Sequence, residues 1–109
     1  TVLMNHAPVP PDEAKARLLR HLLGRMLELE EDGLRVDAPA DPFDFHGPLV
    51  SVSFSSRDNK EMSRRLKEEY HILVSCTDDG ILLSPAPDVT FEDMDYVQGA
   101  VYQMLLEQP

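Results

Sequence analysis

The sequence predicts an α+β domain of two layers, in which a mainly antiparallel four-stranded sheet carries three helices on one face. Three observations lead to this prediction. The chain has 109 residues, which is the size of one domain. Some segments have apolar residues at the spacing of a helix face. Between them lie short segments in which apolar and polar residues alternate, as in strands. One pair of strands is joined by an Asp-Gly turn, which is typical of an antiparallel hairpin.

The first segment is expected to be an extended lead-in, residues 1–11, because three of its last four residues are prolines that fix φ. Residues 12–109 are predicted to form the single domain. Its first helix is predicted over residues 12–32, where leucines recur at the spacing of one helix face, and it ends at Gly33. Gly24 inside this helix indicates a close packing contact.

The remaining elements follow from alternation and from capping patterns. Strands are predicted at residues 34–37, 48–54, 71–76 and 81–84. A second helix over residues 59–70 opens with a capping box of Asp58 and Glu61, and the last helix opens with Thr90 and Asp93 in an acidic variant of the same motif.

The second predicted strand separates the two faces of the sheet. Val50, Val52 and Phe54 point to one face, whereas Ser51 and Ser53 point to the other. A sheet of this pattern has one covered face and one less apolar face. The less apolar face, where we expect a cleft or a partner, presents Ser51, Ser53, His71 and Ser75.

The composition argues against several classes of function. Lys and Arg number 10 against 20 Asp and Glu, which gives a net charge of -10. This charge argues against nucleic acid as a partner, because such binding depends on cations placed against phosphates, and against docking on an anionic membrane. Cys76 is the single cysteine, so an intrachain disulfide is excluded and a reducing compartment, the cytoplasm, is expected. We see neither a run long enough for a membrane span nor a signal-peptide pattern.

The sequence offers little that would carry chemistry on its own. Four histidines are present, but none stands at the spacing of a known metal motif, so no metal ligand is predicted. Cys76 lies on one strand face with Ile72 and Val74 and is interpreted as a structural residue, because a nucleophile needs a base and a positive setting. No catalytic and no cofactor-binding residue is predicted on this chain.

Several segments in the second half resemble a known domain. Residues 47–54 read GPLVSVSF, residues 62–70 read MSRRLKEEY and residues 71–75 read HILVS. Residues 79–85 read DGILLSP and residues 89–95 read VTFEDMD. In this order they resemble the C-terminal small domain of fold-type I pyridoxal-phosphate-dependent aminotransferases, of class V or class III. The long first helix is similar to the segment that enters this domain.

Two departures from the family limit what the resemblance implies. In class V aminotransferases and cysteine desulfurases, an Arg of the last strand receives the substrate carboxylate, whereas Leu82 stands at the matching position here. The apolar strand with its Ser-Pro ending makes class III an equally good comparison. The Schiff-base lysine of the family belongs to the large domain, and Lys15, Lys60 and Lys67 of this chain lie on amphipathic helices instead.

The resemblance implies that this domain covers a cofactor cleft and positions an amino-acid substrate in a pyridoxal-phosphate-dependent aminotransferase or lyase, without being catalytic alone. The implied partner is a large cofactor-binding domain that carries the pyridoxal phosphate, and a homodimer of the full-length enzyme is one assembly that the resemblance allows. The alternative is a non-catalytic protein-interaction module of a larger assembly. The residues expected to face substrate are Ser51, Ser53, Leu82 and Ser84.

Overall fold

The computed structural model describes residues 1–7, 12–37 and 47–107. Residues 8–11 of the predicted lead-in lie outside the described part of the chain. The helices are α1 (Glu13–Leu27), α2 (Asn59–Tyr70) and α3 (Phe91–Leu106), with a short 3₁₀ turn at Glu30–Asp32. The strands are β1 (Val2–Leu3), β2 (Leu34–Asp37), β3 (Val50–Phe54), β4 (Ile72–Leu73), β5 (Ser75–Thr77) and β6 (Gly80–Leu83).

Four strands form an antiparallel sheet in the order β2-β3-β6-β5. The helices α1 and α2 pack on this sheet, and α3 packs against both helices. The core lies between the layers, where β3 contributes three buried side chains, Val50, Val52 and Phe54. The predicted α+β class with a four-stranded antiparallel sheet and three helices is confirmed.

All three helices begin as the sequence predicts, and at α1 the Asp12 carboxylate accepts a hydrogen bond from the backbone N–H of Lys15. The carboxylate of Asp58 caps α2 by accepting a hydrogen bond from the backbone N–H of Lys60. At α3 the full capping box forms, since the Thr90 hydroxyl accepts from the N–H of Asp93 and the Asp93 carboxylate accepts from the N–H of Thr90. The predicted capping box also requires the Glu61 carboxylate to accept from the backbone N–H of Asp58. This carboxylate instead accepts a hydrogen bond from Arg64.

The first helix is shorter than predicted. It ends at Leu27, and the chain tightens into the 3₁₀ turn that Gly33 closes at φ 109°. The cause is Leu29, which is buried in the core and whose carbonyl accepts from the N–H groups of Asp32 and Leu34. The interpretation of Gly24 as a close packing contact is wrong, because a Cβ placed there would meet nothing within 4 Å.

The predicted strand over residues 71–76 begins at Ile72 and is divided at Val74 into β4 and β5. β5 remains paired with β6, whereas β4 diverges and pairs in parallel with β1. This second pairing was not predicted, because nothing in the local pattern of residues 1–7 identifies a partner strand. Its consequence is that Met4 lies fully inside the core.

Among the described residues, none of the helices has both the length and the apolar character that crossing a bilayer requires.

Candidate functional site on the open face of the sheet

The face of the sheet opposite the helices carries a row of residues from all four strands. The register places Asp37 of β2 beside Ser51 of β3, Ser51 beside Leu82 of β6, and Leu82 beside Ser75 of β5. Side chains that pair directly across strands point to the same face. Leu82, which is partly exposed, is therefore an apolar centre between two serine hydroxyls, with a carboxylate at one end of the row.

A second row runs parallel to the first. Arg35 of β2 pairs with Ser53 of β3, and Gly80 of β6 pairs with Thr77 of β5. Gly80 brings β6 against β3 so closely that a Cβ at this position would lie 2.6 Å from the carbonyl oxygen of Val52. Because Gly80 has no side chain, nothing projects from the sheet at the middle of this row. The guanidinium of Arg35 lies at one end of the row, and the hydroxyl of Thr77 lies at the other.

The β2 and β3 side of this face forms an open concavity of about 440 Å³. Its polar groups are one guanidinium, two carboxylates and two hydroxyls, which suit hydrogen bonding to a polar surface. No imidazole lies among these lining residues, so the concavity does not contain a serine paired with a histidine. The lining residues are Arg35, Val36, Asp37, Ser51, Val52, Ser53 and Asp79.

Three of the four residues expected to face substrate lie together on this open face, namely Ser51, Ser53 and Leu82. Ser84 lies elsewhere. It is only 3% exposed, and its hydroxyl accepts a hydrogen bond of 3.0 Å from the ammonium of Lys15. The reason is the first segment of the chain, which covers Ser84 through a parallel bridge at Asn5.

Ser75 and His71, which are also expected on the less apolar face, lie in different parts of the structure. Ser75 is exposed and lies in the row through Leu82. His71 is not part of a strand, because it caps the C-terminus of α2 in the left-handed conformation at φ 57°. The placement of His71 on the sheet face is therefore wrong, since it assumed that the alternation of β4 began one residue earlier.

A small cavity of about 190 Å³ lies beside Lys15 and was not anticipated from the sequence. The Lys15 ammonium donates to the Ala7 carbonyl at 3.3 Å as well as to Ser84. The cavity is smaller than typical ligand pockets, which start at about 300 Å³. Its walls come from three separate segments of the chain, so no local pattern could have revealed it. They are formed by His6, Asp12, Ala14, Lys15, Leu18, Pro85 and Pro87.

The arginines of α2 take two different roles. Arg64 pairs with Glu61 and Glu68 on its own helix, as expected for a solvated face. Arg65 is only 15% exposed in its side chain and binds Glu69 on α2 and Glu107 after α3. Hydrogen bonds from Arg65 lower the pKa of both of these carboxyl groups below the usual range of glutamate.

The lysines of this chain do not fit the attachment site of pyridoxal phosphate. Such a lysine needs a desolvated pocket and groups that bind the cofactor. Lys15 is held by Ala7 and Ser84 beside a cavity too small for the cofactor, Lys60 is 70% exposed and pairs with Asp78, and Lys67 is exposed.

The structure also shows how the potential metal ligands and the single thiol are placed. Within residues 1–7, 12–37 and 47–107, no three His, Cys, Asp or Glu side chains converge to hold a metal ion. Cys76 is partly exposed on β5, and its thiol contacts the Thr77 carbonyl at 3.4 Å.

Comparison with protein-family models gave no match, and comparison with curated proteins gave none either.

Proposed function

We propose that this chain is the small domain of a cytoplasmic pyridoxal-phosphate-dependent aminotransferase or lyase, and that its open sheet face covers the cofactor cleft of a large domain. One observation carries the proposal. The helices lie on one face of the sheet, whereas no helix or strand of residues 1–7, 12–37 and 47–107 lies on the other, polar face, where Leu82 stands between Ser51 and Ser75. This is the position at which the class V enzymes that the sequence resembles carry their carboxylate-binding arginine.

The order of elements supports the proposal independently of single residues. A strand, a capped helix, a hairpin and a final capped helix follow one another in the order of the segments that resemble the family. The helices α1 and α2 pack on the other face of the sheet, so of the two sheet faces we assign the open one to the contact with a large domain. A domain placed over a cleft in this way excludes water from the reacting groups and orients the substrate.

The chemistry of the row through Leu82 indicates which part of a substrate it would contact. An isobutyl group cannot bind a carboxylate, and Asp37 at the end of the row would repel one. The row suits the uncharged part of an amino acid, with Ser51 and Ser75 as hydrogen-bonding groups. We therefore assign the carboxylate and the cofactor to the large domain, because the lysines of this chain do not fit the cofactor.

The decisive experiment uses the natural polypeptide that contains this chain. We expect the purified polypeptide to include a further domain with a lysine that binds pyridoxal phosphate, and to show the visible absorption band of the bound cofactor. The 109-residue chain alone, mixed with pyridoxal phosphate, should show no stoichiometric band. A natural polypeptide without such a domain and without the band would contradict the proposal and would favour the interaction module.

A pair of variants tests the role assigned to the open face. In the natural polypeptide, Leu82→Glu should lower kcat/KM for amino-acid substrates by about tenfold or more, because it places an unpaired charge where the two domains meet. Tyr102→Glu is the matched control, since Tyr102 is exposed on α3 in the helix layer. Equal effects of the two substitutions would contradict the assignment of the cleft to the open face.

A further inference from the structure

The cavity beside Lys15, which we call the Lys15 cavity, lies between α1 and the segment that follows β6. Its volume is about 190 Å³. An apolar cavity of about 150 Å³ is large enough to hold a ligand of the size of benzene. The Lys15 cavity can therefore hold one small ligand with an apolar body. Its apolar walls are formed by Ala14, Leu18, Pro85 and Pro87.

The ammonium of Lys15 is held by neutral oxygens. It donates to the hydroxyl of Ser84 at 3.0 Å and to the carbonyl of Ala7 at 3.3 Å. Whereas Lys60 pairs with Asp78, Lys15 forms no ion pair with any residue of the described part of the chain. An ammonium has three N–H donors, so one of them remains for a further acceptor.

The position of this ammonium strengthens its attraction for an anion. Lys15 is half-buried, and its partner Ser84 is only 3% exposed. A charge that is partly removed from water and has no counter-ion raises the free energy of the protein. The attraction between opposite charges is also stronger there than in bulk water, because the effective dielectric constant is lower. An anionic ligand would supply the missing counter-ion.

The other polar residues around the cavity also favour an anion. The carboxylate of Asp12 accepts from the backbone N–H of Lys15 at 2.7 Å and so caps α1. His6 contributes an imidazole that can donate a hydrogen bond. An adjoining hollow of about 270 Å³ shares three lining residues with the cavity and adds the guanidinium of Arg17 without a further carboxylate. Two cationic side chains and one carboxylate therefore line the two hollows, although the whole chain has a net charge of -10.

The apolar walls distinguish between classes of anion. A phosphate group has several oxygens that all need donors, and most of the surface of this cavity is hydrocarbon. A carboxylate has two oxygens, and the remainder of a monocarboxylate can be apolar. An ammonium and one imidazole are enough donors for such a group.

We propose that the Lys15 cavity binds a small monocarboxylate, with its carboxylate on the ammonium of Lys15 and an apolar body of about six carbon atoms against Leu18 and Pro87. A hydrogen bond between an ammonium and a carboxylate is roughly twice as strong as one between neutral groups. The site shares no lining residue with the concavity on the open face of the sheet. It therefore goes beyond the proposed function, and either proposal can fail without the other.

The test titrates the ¹⁵N-labelled full chain with benzoate at constant ionic strength and follows the backbone amides by NMR. We expect saturable shifts at Ala14, Lys15 and Leu18, with a dissociation constant of about 1 mM or lower. Benzyl alcohol has the same ring without the charge and should bind about fivefold more weakly. Shifts that stay linear up to about 20 mM benzoate would overturn the proposal.

Two comparisons of probes test the class of ligand. An equal affinity for benzoate and benzyl alcohol would overturn the assignment of an anion. Inorganic phosphate, added at the concentration of benzoate, should leave the benzoate shifts in place. Displacement of benzoate by phosphate would overturn the choice of a carboxylate.

Three variants test the residues of the site. Lys15→Met keeps the apolar stem of the side chain and removes the ammonium, so it should weaken benzoate binding about fivefold or more. The control Lys67→Met, at an exposed position of α2, should leave the affinity unchanged. Ala14→Leu fills the cavity from an exposed position and leaves Lys15 in place, so it should abolish saturable binding of both probes whether or not Lys15→Met folds. An unchanged affinity in Lys15→Met or in Ala14→Leu would overturn the proposal.

Discussion

At the residue scale, two glycines with the same lack of a side chain have opposite roles. Gly80→Ala should lower the free energy of unfolding by about 1–3 kcal/mol, because its Cβ would lie 2.6 Å from the Val52 carbonyl oxygen and backbone would have to move. Gly24→Ala should instead raise it by about 0.5–1 kcal/mol, since the site is open and alanine favours a helix. Urea unfolding of both variants checks these signs, and a stabilised Gly80→Ala would contradict the close approach of β6 to β3.

The same pair shows what the sequence could and could not predict about single residues. A glycine within a predicted helix favours a packing contact at Gly24, whereas the tight contact lies at Gly80 of the Asp-Gly turn. The difference depends on which backbone lies opposite, and that is a property of the sheet register. His71 illustrates the same point, because its left-handed conformation is imposed by the passage from α2 directly into β4.

At the scale of elements, capping patterns and alternation predicted where most helices and strands begin. The residues at which these elements end were predicted less accurately. The first helix ends where Leu29 turns into the core, and the strand after α2 divides at Val74 because β1 separates β4 from the segment that follows β6. Both changes depend on segments distant in the sequence, which local spacing cannot reveal. For the same reason Ser51, Ser53 and Leu82 could be placed on one face, whereas the burial of Ser84 could not be foreseen.

The junction of α2 and α3 should make folding sensitive to acid. Arg65 binds Glu69 and Glu107, and their pKa values are lowered from the ordinary 4.5, first by hydrogen bonds from Arg65. The folded state therefore binds fewer protons than the unfolded state in this range. The stability from these groups should be fully present above about pH 4.5 and should be lost as the pH falls through the lowered pKa values.

Glu107→Gln tests this dependence. We expect a lower free energy of unfolding at neutral pH and a weaker loss on acidification than in the unsubstituted chain, measured by urea unfolding across a pH series. Glu31→Gln is the control, since Glu31 is exposed in the 3₁₀ turn and the ion-pair partners of Arg65 among the described residues are Glu69 and Glu107. An acid dependence equal in the Glu107→Gln and unsubstituted chains would contradict the role of this carboxylate.

At the scale of the whole molecule, the fold has two parts that the sequence predicts unequally. Local patterns of capping and alternation predict the antiparallel sheet and its helices. The parallel pair of β1 and β4 joins residues about seventy positions apart, and only the structure reveals it. In this pair, β1 lies between β4 and the segment that follows β6.

The contribution of β1 to the whole molecule can be measured through Met4. Met4→Ala should lower the free energy of unfolding by about 2–5 kcal/mol, because the side chain is fully buried and the surrounding core cannot fill the space. Leu3→Ala in the same strand should cost much less, since Leu3 is 39% exposed. Hydrogen exchange at the amides of Ser84 and Ala86, which donate to the carbonyls of Met4 and Leu3, should accelerate more in Met4→Ala than in Leu3→Ala. An equal free energy of unfolding in the two variants would show that β1 contributes backbone pairing alone and that the core does not depend on the side chain of Met4.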